Sequence, residues 1–378
     1  MLKYNAGHGG INMKQLNQRY EIKKGVWLNN RIVMAPMTTK GSTWEGYITD
    51  EDLQFYKRRA NVAGLLITGA TAISPLGENF PYQMSIYNDS FIPGMTELAQ
   101  VMKSKGNKAI VQLYHSGANS ITSYRKTGKA VAPSRRTFHH LPYVPTELSE
   151  EDIWGIIEDY GLATQRVIDS GFDGVEIHGA YGHIIQQFFS KYSNKRTDAW
   201  GGSLEDRMKF ITEIIKKVNQ VARENNKEDF IIGFRITEEE YHADEIGYEL
   251  SETLQLIDKI ADMNIDYIQG TSVQFAEAFS KTINGRTTYI CVPNAIEKEQ
   301  VEYGLNYGDL VSIARAAMIE PDYAHKIETN AAIKTEITST HMAKNLMWPN
   351  KLMVWMLGPY GQNFFIKGLQ YFKGIARY

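Results

Sequence analysis

Three side chains able to donate a hydrogen bond or a proton fall within six residues of one another: His178, Tyr181 and His183. A histidine and a tyrosine at such spacing can clamp a carbonyl oxygen as negative charge develops on it, while the remaining group handles a proton. The same two histidines could also ligate a metal, but no carboxylate-rich ligand set accompanies them, which argues against a metal-dependent hydrolase. Two further polar residues interrupt apolar runs. Gln112 sits in Val111-Gln112-Leu113, and its primary amide offers both a donor and an acceptor. Arg235 sits in Phe234-Arg235-Ile236, where an inward guanidinium is costly unless it meets an anion or carbonyl oxygens. Glu238 to Glu240 follow closely, so pairing with a carboxylate is the alternative use of Arg235.

The elements that must position these groups read as an alternation of short apolar strands and amphipathic helices, the pattern of a parallel α/β sheet. Strands are expected at 32–35, 65–68, 109–113, 175–177, 231–236, 267–269, 289–292 and 310–313. Helices are expected at 50–61, 93–105, 149–170, 203–225, 249–263, 294–303 and 321–330, with Tyr20–Trp27 as a hairpin closing one end. The resulting fold class is α/β, a single (β/α)8 TIM barrel, with the count of eight helped by the resemblance given below. In such a barrel, polar residues at the C-terminal ends of strands face the active site. Ser203, with Asp206 three residues on, reads as a capping box opening the helix that follows.

Three ungapped pieces around the cluster, E-I-H-G-A-x-G, I-I-Q-Q-F-x-S and S-N-K-R-T-D-x-W-G-G-S, resemble the old yellow enzyme family of FMN-dependent ene-reductases, the NADH:flavin oxidoreductase type. Family-like segments extend over residues 14–330 in the expected order. The resemblance implies noncovalent FMN, NADH or NADPH as electron donor, and reduction of the carbon–carbon double bond of α,β-unsaturated carbonyl compounds. It places Ala35, Pro36, Met37 and Thr38 in the loop beneath the flavin, with Thr38 toward O4, and Ala70 against the ring. Gln112 meets the pyrimidine edge, Arg235 the N1–O2 side, and His178 both cofactor and substrate. The phosphate falls to Asn294, Ala314 and Arg315. The family's second clamp and its tyrosine proton donor coincide here with Tyr181 and His183, so tyrosine and histidine are exchanged between the two roles. With His183 as the acid, reoxidation of the flavin by an enone is expected to slow as pH rises through roughly 6–8; water is the competing source of the proton.

The chain departs from the family pattern at three places. Lys40 stands where a subset of relatives has tyrosine, Pro293 removes a backbone N–H near the phosphate, and Ala314 replaces a glycine. Pro293 and Ala314, together with the exchange of Tyr181 and His183, motivate an alternative reading, a flavin-binding barrel with little turnover. Residues 116–147 form a long connection expected to act as a lid, with Tyr143 facing substrate; His139 and His140 there read as solvated. Phe275 and Phe279, in an insertion over 273–286, are expected to border the substrate pocket.

Composition narrows the remaining classes. Lys and Arg total 41 against 43 Asp and Glu, a net charge of −2 without a basic block, which disfavours nucleic acid. No apolar run spans a bilayer and no signal-peptide core opens the chain, so a cytoplasmic protein is expected, in keeping with its one cysteine, Cys291. Residues 1–13 read as a mobile tail, 14–340 as the barrel, and 341–378 as an aromatic extension packing on the barrel or on a second copy in a homodimer.

Overall fold

In the computed structural model, which describes residues 14–377, eight parallel strands close on themselves. They are β1 Ile32–Met34, β2 Leu65–Ile67, β3 Lys108–Tyr114, β4 Gly174–Gly179, β5 Ile231–Ile236, β6 Tyr267–Gln269, β7 Thr288–Cys291 and β8 Leu310–Ile313. Each pairs with its sequence neighbours, and β8 returns to β1 through Val311 opposite Ile32. The expected mobile tail at residues 1–13 lies outside the described residues.

Helices follow the strands and cover the outside of the barrel. The one after β4, Leu204–Glu224, shows why. Met208, Ile211, Ile215, Val218 and Ala222 recur at helical spacing and are buried, while the charged face stays outside. Its N-terminus keeps half of the expected capping box. Ser203 Oγ accepts the Asp206 N–H at 3.1 Å, but the Asp206 carboxylate takes the Ser203 hydroxyl rather than its backbone N–H. Thr49 and Ser149 open the helices Asp50–Arg58 and Glu150–Asp169 with both limbs of the box in place.

An antiparallel hairpin, Tyr20–Lys23 with Val26–Leu28, stops the N-terminal end. Its Ile22, Val26 and Leu28 join the barrel-interior residues Val33, Leu65, Ile110, Ile231, Ile290 and Leu310 in one buried cluster. Above that layer the interior turns polar. Gly233 makes room for it: a Cβ there would lie 2.0 Å from the Tyr267 ring, so only glycine lets that ring cross β5.

Residues 273–286 are not an insertion but part of the repeating strand–helix pattern of the barrel. They carry the outer helix Ala276–Ile283, and Phe279 is buried in the core against Tyr289, with ring centroids 5.8 Å apart. The long connection after β3 has structure of its own, a helix Ile121–Thr127 and a parallel pair Val131–Ala132 with Thr146–Glu147. Tyr143 braces it internally, stacking on Tyr124 at 4.2 Å and donating to the Ala118 carbonyl at 3.0 Å.

The C-terminal segment is tied to the barrel by polar contacts. Trp348 Nε1 donates to the Met318 carbonyl at 3.2 Å, and the fully buried Arg59 donates to the carbonyls of both Ala317 and Leu346. Among the described residues, no helix is long and apolar enough to cross a membrane.

Candidate active site

Strand periodicity puts alternate side chains on one face, and here that face points into the barrel. Gln112 and Tyr114 on β3 lie beside Glu176 and His178 on β4, with Gln112 opposite Glu176 in the ladder and Arg235 opposite His178. All five side chains are buried. They form part of a polar layer in the C-terminal half of the barrel, above the apolar cluster at its other end.

The floor of this layer is a carboxylate. Gln112 Nε2 donates to Glu176 Oε1 at 2.7 Å and the Tyr267 hydroxyl donates to Oε2 at 3.0 Å. Burial raises the Glu176 pKa, opposed by the Arg235 charge and by those two hydrogen bonds. With one amide hydrogen committed to Glu176, Gln112 retains its carbonyl oxygen and a second hydrogen for a ligand. Arg235 donates from Nη2 to the Tyr181 hydroxyl at 3.0 Å, whereas its Nε is buried and has no partner among the described residues. A buried guanidinium N–H without an acceptor fits a ligand carbonyl or ring nitrogen, which is what a flavin pyrimidine edge presents.

His178 accepts the Ala180 N–H on Nδ1 at 3.2 Å, so in the neutral ring Nε2 carries the hydrogen. Burial, with the nearby His183 and Arg235, holds its pKa well below the usual imidazole value. It is therefore a neutral donor near pH 7. Tyr181 has φ +58° and is 54% exposed, its N–H donating to Thr237 Oγ1 and its hydroxyl accepting from Arg235. A left-handed conformation is uncommon for a tyrosine and is held here by bonds at both ends of the residue.

His183 packs against His178 from the following turn, with ring centroids 5.1 Å apart. It N-caps the helix Ile184–Phe189, and its Nδ1 lies 3.1 Å from the Tyr114 hydroxyl. Burial pushes its pKa down to about 3, only partly countered by a hydrogen bond to the Ser116 backbone. The ring is neutral near pH 7, so the imidazolium expected from an ordinary histidine value is not the resident form. Tyr114 was not singled out from sequence, although it packs on both rings, 5.4 Å from His178 and 4.5 Å from His183. Its spacing of two from Gln112 on one strand was the available signal.

Around this layer the remaining residues take their places at strand ends. Ala35 extends β1 by donating its N–H to the Ile313 carbonyl at 3.0 Å, and Pro36, Met37 and Thr38 follow in the loop. That loop touches the end of β2 backbone to backbone: a Cβ on Gly69 would lie 2.5 Å from the Met37 carbonyl. Ala70 is buried next to it, its carbonyl accepting from Gln83 Nε2 at 2.8 Å. On the other side of β1, at the ends of β7 and β8, Asn294 has φ +54°, and the Arg315 guanidinium donates to its carbonyl, with Ala314 capping the short helix Arg315–Ile319. This ties the ends of β7 and β8 together and keeps an arginine at the rim, where barrels commonly seat a phosphate.

The geometry thus defines a (β/α)8 barrel whose C-terminal rim offers an amide, a guanidinium with an unmet N–H, and a neutral imidazole donor, a flavin-binding oxidoreductase site. The chain belongs to the NADH:flavin oxidoreductase / NADH oxidase family, whose model matches residues 18–334. It is similar to the probable NADH-dependent flavin oxidoreductase YqiG of Bacillus subtilis, at 32% identity over 348 residues, covering 88% of this chain and 93% of that protein. It is also similar to the NADH:acrylate oxidoreductase of Vibrio harveyi, at 35% identity over 333 residues, 83% of this chain but only 33% of that longer protein. Among solved structures, morphinone reductase in complex with tetrahydroNAD superposes with a TM-score of 0.73 at 27% identity, covering 84% of this chain and 92% of that one. The expected old yellow enzyme membership and barrel fold are thereby met, and the chain is a flavin oxidoreductase of the ene-reductase type that uses FMN and NAD(P)H.

Proposed function

We propose that the chain reduces the activated carbon–carbon double bond of small α,β-unsaturated carbonyl compounds at the rim just described. The observation that carries this reading is His178: a buried neutral imidazole whose Nδ1 is occupied by the Ala180 N–H, leaving Nε2–H as a donor beside Tyr181. A neutral donor stabilises developing enolate charge without surrendering its own proton. Bound FMN supplies hydride and is recharged by NAD(P)H. Gln112 and Arg235 would hold its pyrimidine edge, Pro36, Met37, Thr38 and Ala70 its ring, and Asn294, Ala314 and Arg315 its phosphate.

His178 and Tyr181 orient and polarise the carbonyl oxygen. The proton for the adjacent carbon comes from water in this reading, because the neutral state of His183 leaves it without an acidic proton near pH 7. His183, bonded to Tyr114, then serves to hold the wall against which His178 packs. The test is anaerobic NADH or NADPH oxidation by the purified yellow protein with a simple cyclic enone. Enone-dependent turnover yielding the saturated ketone supports the reading. Flavin that NAD(P)H reduces but no unsaturated carbonyl compound reoxidises would overturn it.

A further inference from the structure

Lys40 is 8% exposed, has φ +54°, and forms no ion pair and no hydrogen bond from Nζ among the described residues. Its Nζ instead lies 5.4 Å from the centre of the Phe80 ring and 5.5 Å from that of Trp355. Two aromatic faces compensate part of the desolvation of an ammonium, but they accept none of its three N–H bonds in the way an anion does. Burial lowers its pKa, and no neighbouring charge opposes that shift.

The segment carrying Lys40 is held on both sides of it. Thr39 Oγ1 and Ser42 Oγ donate to the two oxygens of buried Asp52, at 3.0 and 2.8 Å, so that carboxylate is committed to the loop rather than to Lys40. Gly41 packs so closely on Asp52 that a Cβ would lie 2.3 Å from Oδ1. A lysine clamped in a left-handed backbone is a local cost retained where the side chain must point one way. The Lys40 backbone lies two residues beyond Thr38, in the loop at the C-terminal end of β1. The Phe80 N–H donates to Gln83 Oε1 at 3.2 Å, and Gln83 in turn holds the Ala70 carbonyl, so the aromatic face over Lys40 is anchored to the residue assigned to the flavin ring. Trp355 arrives from the C-terminal helix Asn350–Leu357, whose first N–H is fixed by Glu51 at 3.2 Å.

We infer that Lys40, between Phe80 and Trp355, receives an anionic oxygen group of a ligand standing on the flavin, and so selects for acidic ligands. Two sources carry such a group: a carboxylate on the electron acceptor, and the phosphates of the nicotinamide donor. The inference rests on the proposed use of this rim for ligands beside FMN.

The test uses the FMN-loaded enzyme and three forms, wild type, Lys40→Met, which keeps the packing stem, and Lys40→Arg, which restores the charge. First, 4-oxopentanoate, which has no double bond to reduce, is titrated against its methyl ester by the change in flavin absorbance. Second, the concentration dependence of flavin reduction is measured with NADH and NADPH. Third, turnover is compared for 4-oxopent-2-enoate and its methyl ester. A carboxylate site predicts wild-type preference for the acid, at least tenfold weaker acid binding in Lys40→Met, and recovery in Lys40→Arg. The turnover preference should then be lost through KM rather than kcat. A donor-phosphate site predicts that the tenfold loss appears in the nicotinamide arm instead. Unchanged binding in both arms for Lys40→Met, at equal flavin content, overturns the inference. Anion binding that depends on Lys40 without any enone reduction overturns the reaction proposed above and leaves the anion site standing.

Discussion

Arg235 Nη2 donates to the hydroxyl of Tyr181 at 3.0 Å, which links the guanidinium assigned to the flavin with the second donor assigned to the substrate. The same guanidinium stands 5.1 Å over the tyrosine ring, so the two side chains are held as a unit. Because the hydroxyl accepts from Arg235, its own hydrogen is free to point at a substrate oxygen. Tyr181→Phe is expected to retain FMN but to bind phenols, as enolate mimics, more weakly by about 1–2 kcal/mol, one hydrogen bond to a charged oxygen. Titration of the oxidised flavin with a substituted phenol measures it. Equal phenol affinity in the variant would remove Tyr181 from the clamp.

His178→Ala should do more. It takes away a buried donor already oriented by the Ala180 N–H, and the long-wavelength charge-transfer band of the phenol complex should be lost or need over tenfold more phenol, at about 1.4 kcal/mol per factor of ten. An unaltered band at wild-type affinity would contradict the assignment.

The proton source is read from pH. With the His183 pKa pushed down to about 3, its charge does not change between pH 6 and 8, so reoxidation of reduced flavin by an enone should show no histidine-like decline across that range. The profile of His183→Tyr should likewise be flat. Rapid mixing of both proteins across pH decides the matter. A decline near pH 6–7 in the wild type that the variant lacks would restore His183 as the acid, whose removal ordinarily costs about 10²–10⁴-fold.

Arg315 bonds the Asn294 carbonyl across the ends of β7 and β8. Arg315→Ala should weaken FMN by about 1.5–3 kcal/mol, the range of a charge-assisted hydrogen bond. Equilibrium dialysis of the apoprotein reads it, and unchanged affinity would place the phosphate elsewhere.

His115 offers a stability test. Its Nδ1 accepts the Gly117 N–H, its Nε2 is buried without a partner among the described residues, and burial pushes its pKa down to about 3. A histidine depressed in the folded state loses stability as pH falls below its unfolded value, because the unfolded chain takes the proton first. Between pH 7 and 5 this one group should cost the folded protein about 2 kcal/mol. His115→Gln should be spared that loss, so the stability gap between wild type and variant shifts toward the variant in acid. Urea unfolding at the two pH values measures it, and a gap independent of pH would mean that His115 takes up its proton in the fold as readily as in the unfolded chain.

The local sequence determined the strand–helix alternation and its ring of polar residues. Strand and helix signals lie within short windows, and a polar side chain in an apolar strand declares its face through a period of two. Gln112, His178 and Arg235 could thus be placed before any contact was known. What those groups are chemically was decided only by packing between distant segments. His183 is neutral because Tyr114, sixty-nine positions away, and the Ser116 backbone enclose it, and desolvation rather than spacing sets an imidazole pKa. Among the described residues Lys40 is a buried cation without an anion because Trp355 arrives from the C-terminal helix and Asp52 is spent on Thr39 and Ser42. Phe279 belongs to the core because the segment around it folds as an outer helix against Tyr289. Burial is a sum over neighbours from the whole chain, and no window of sequence contains that sum.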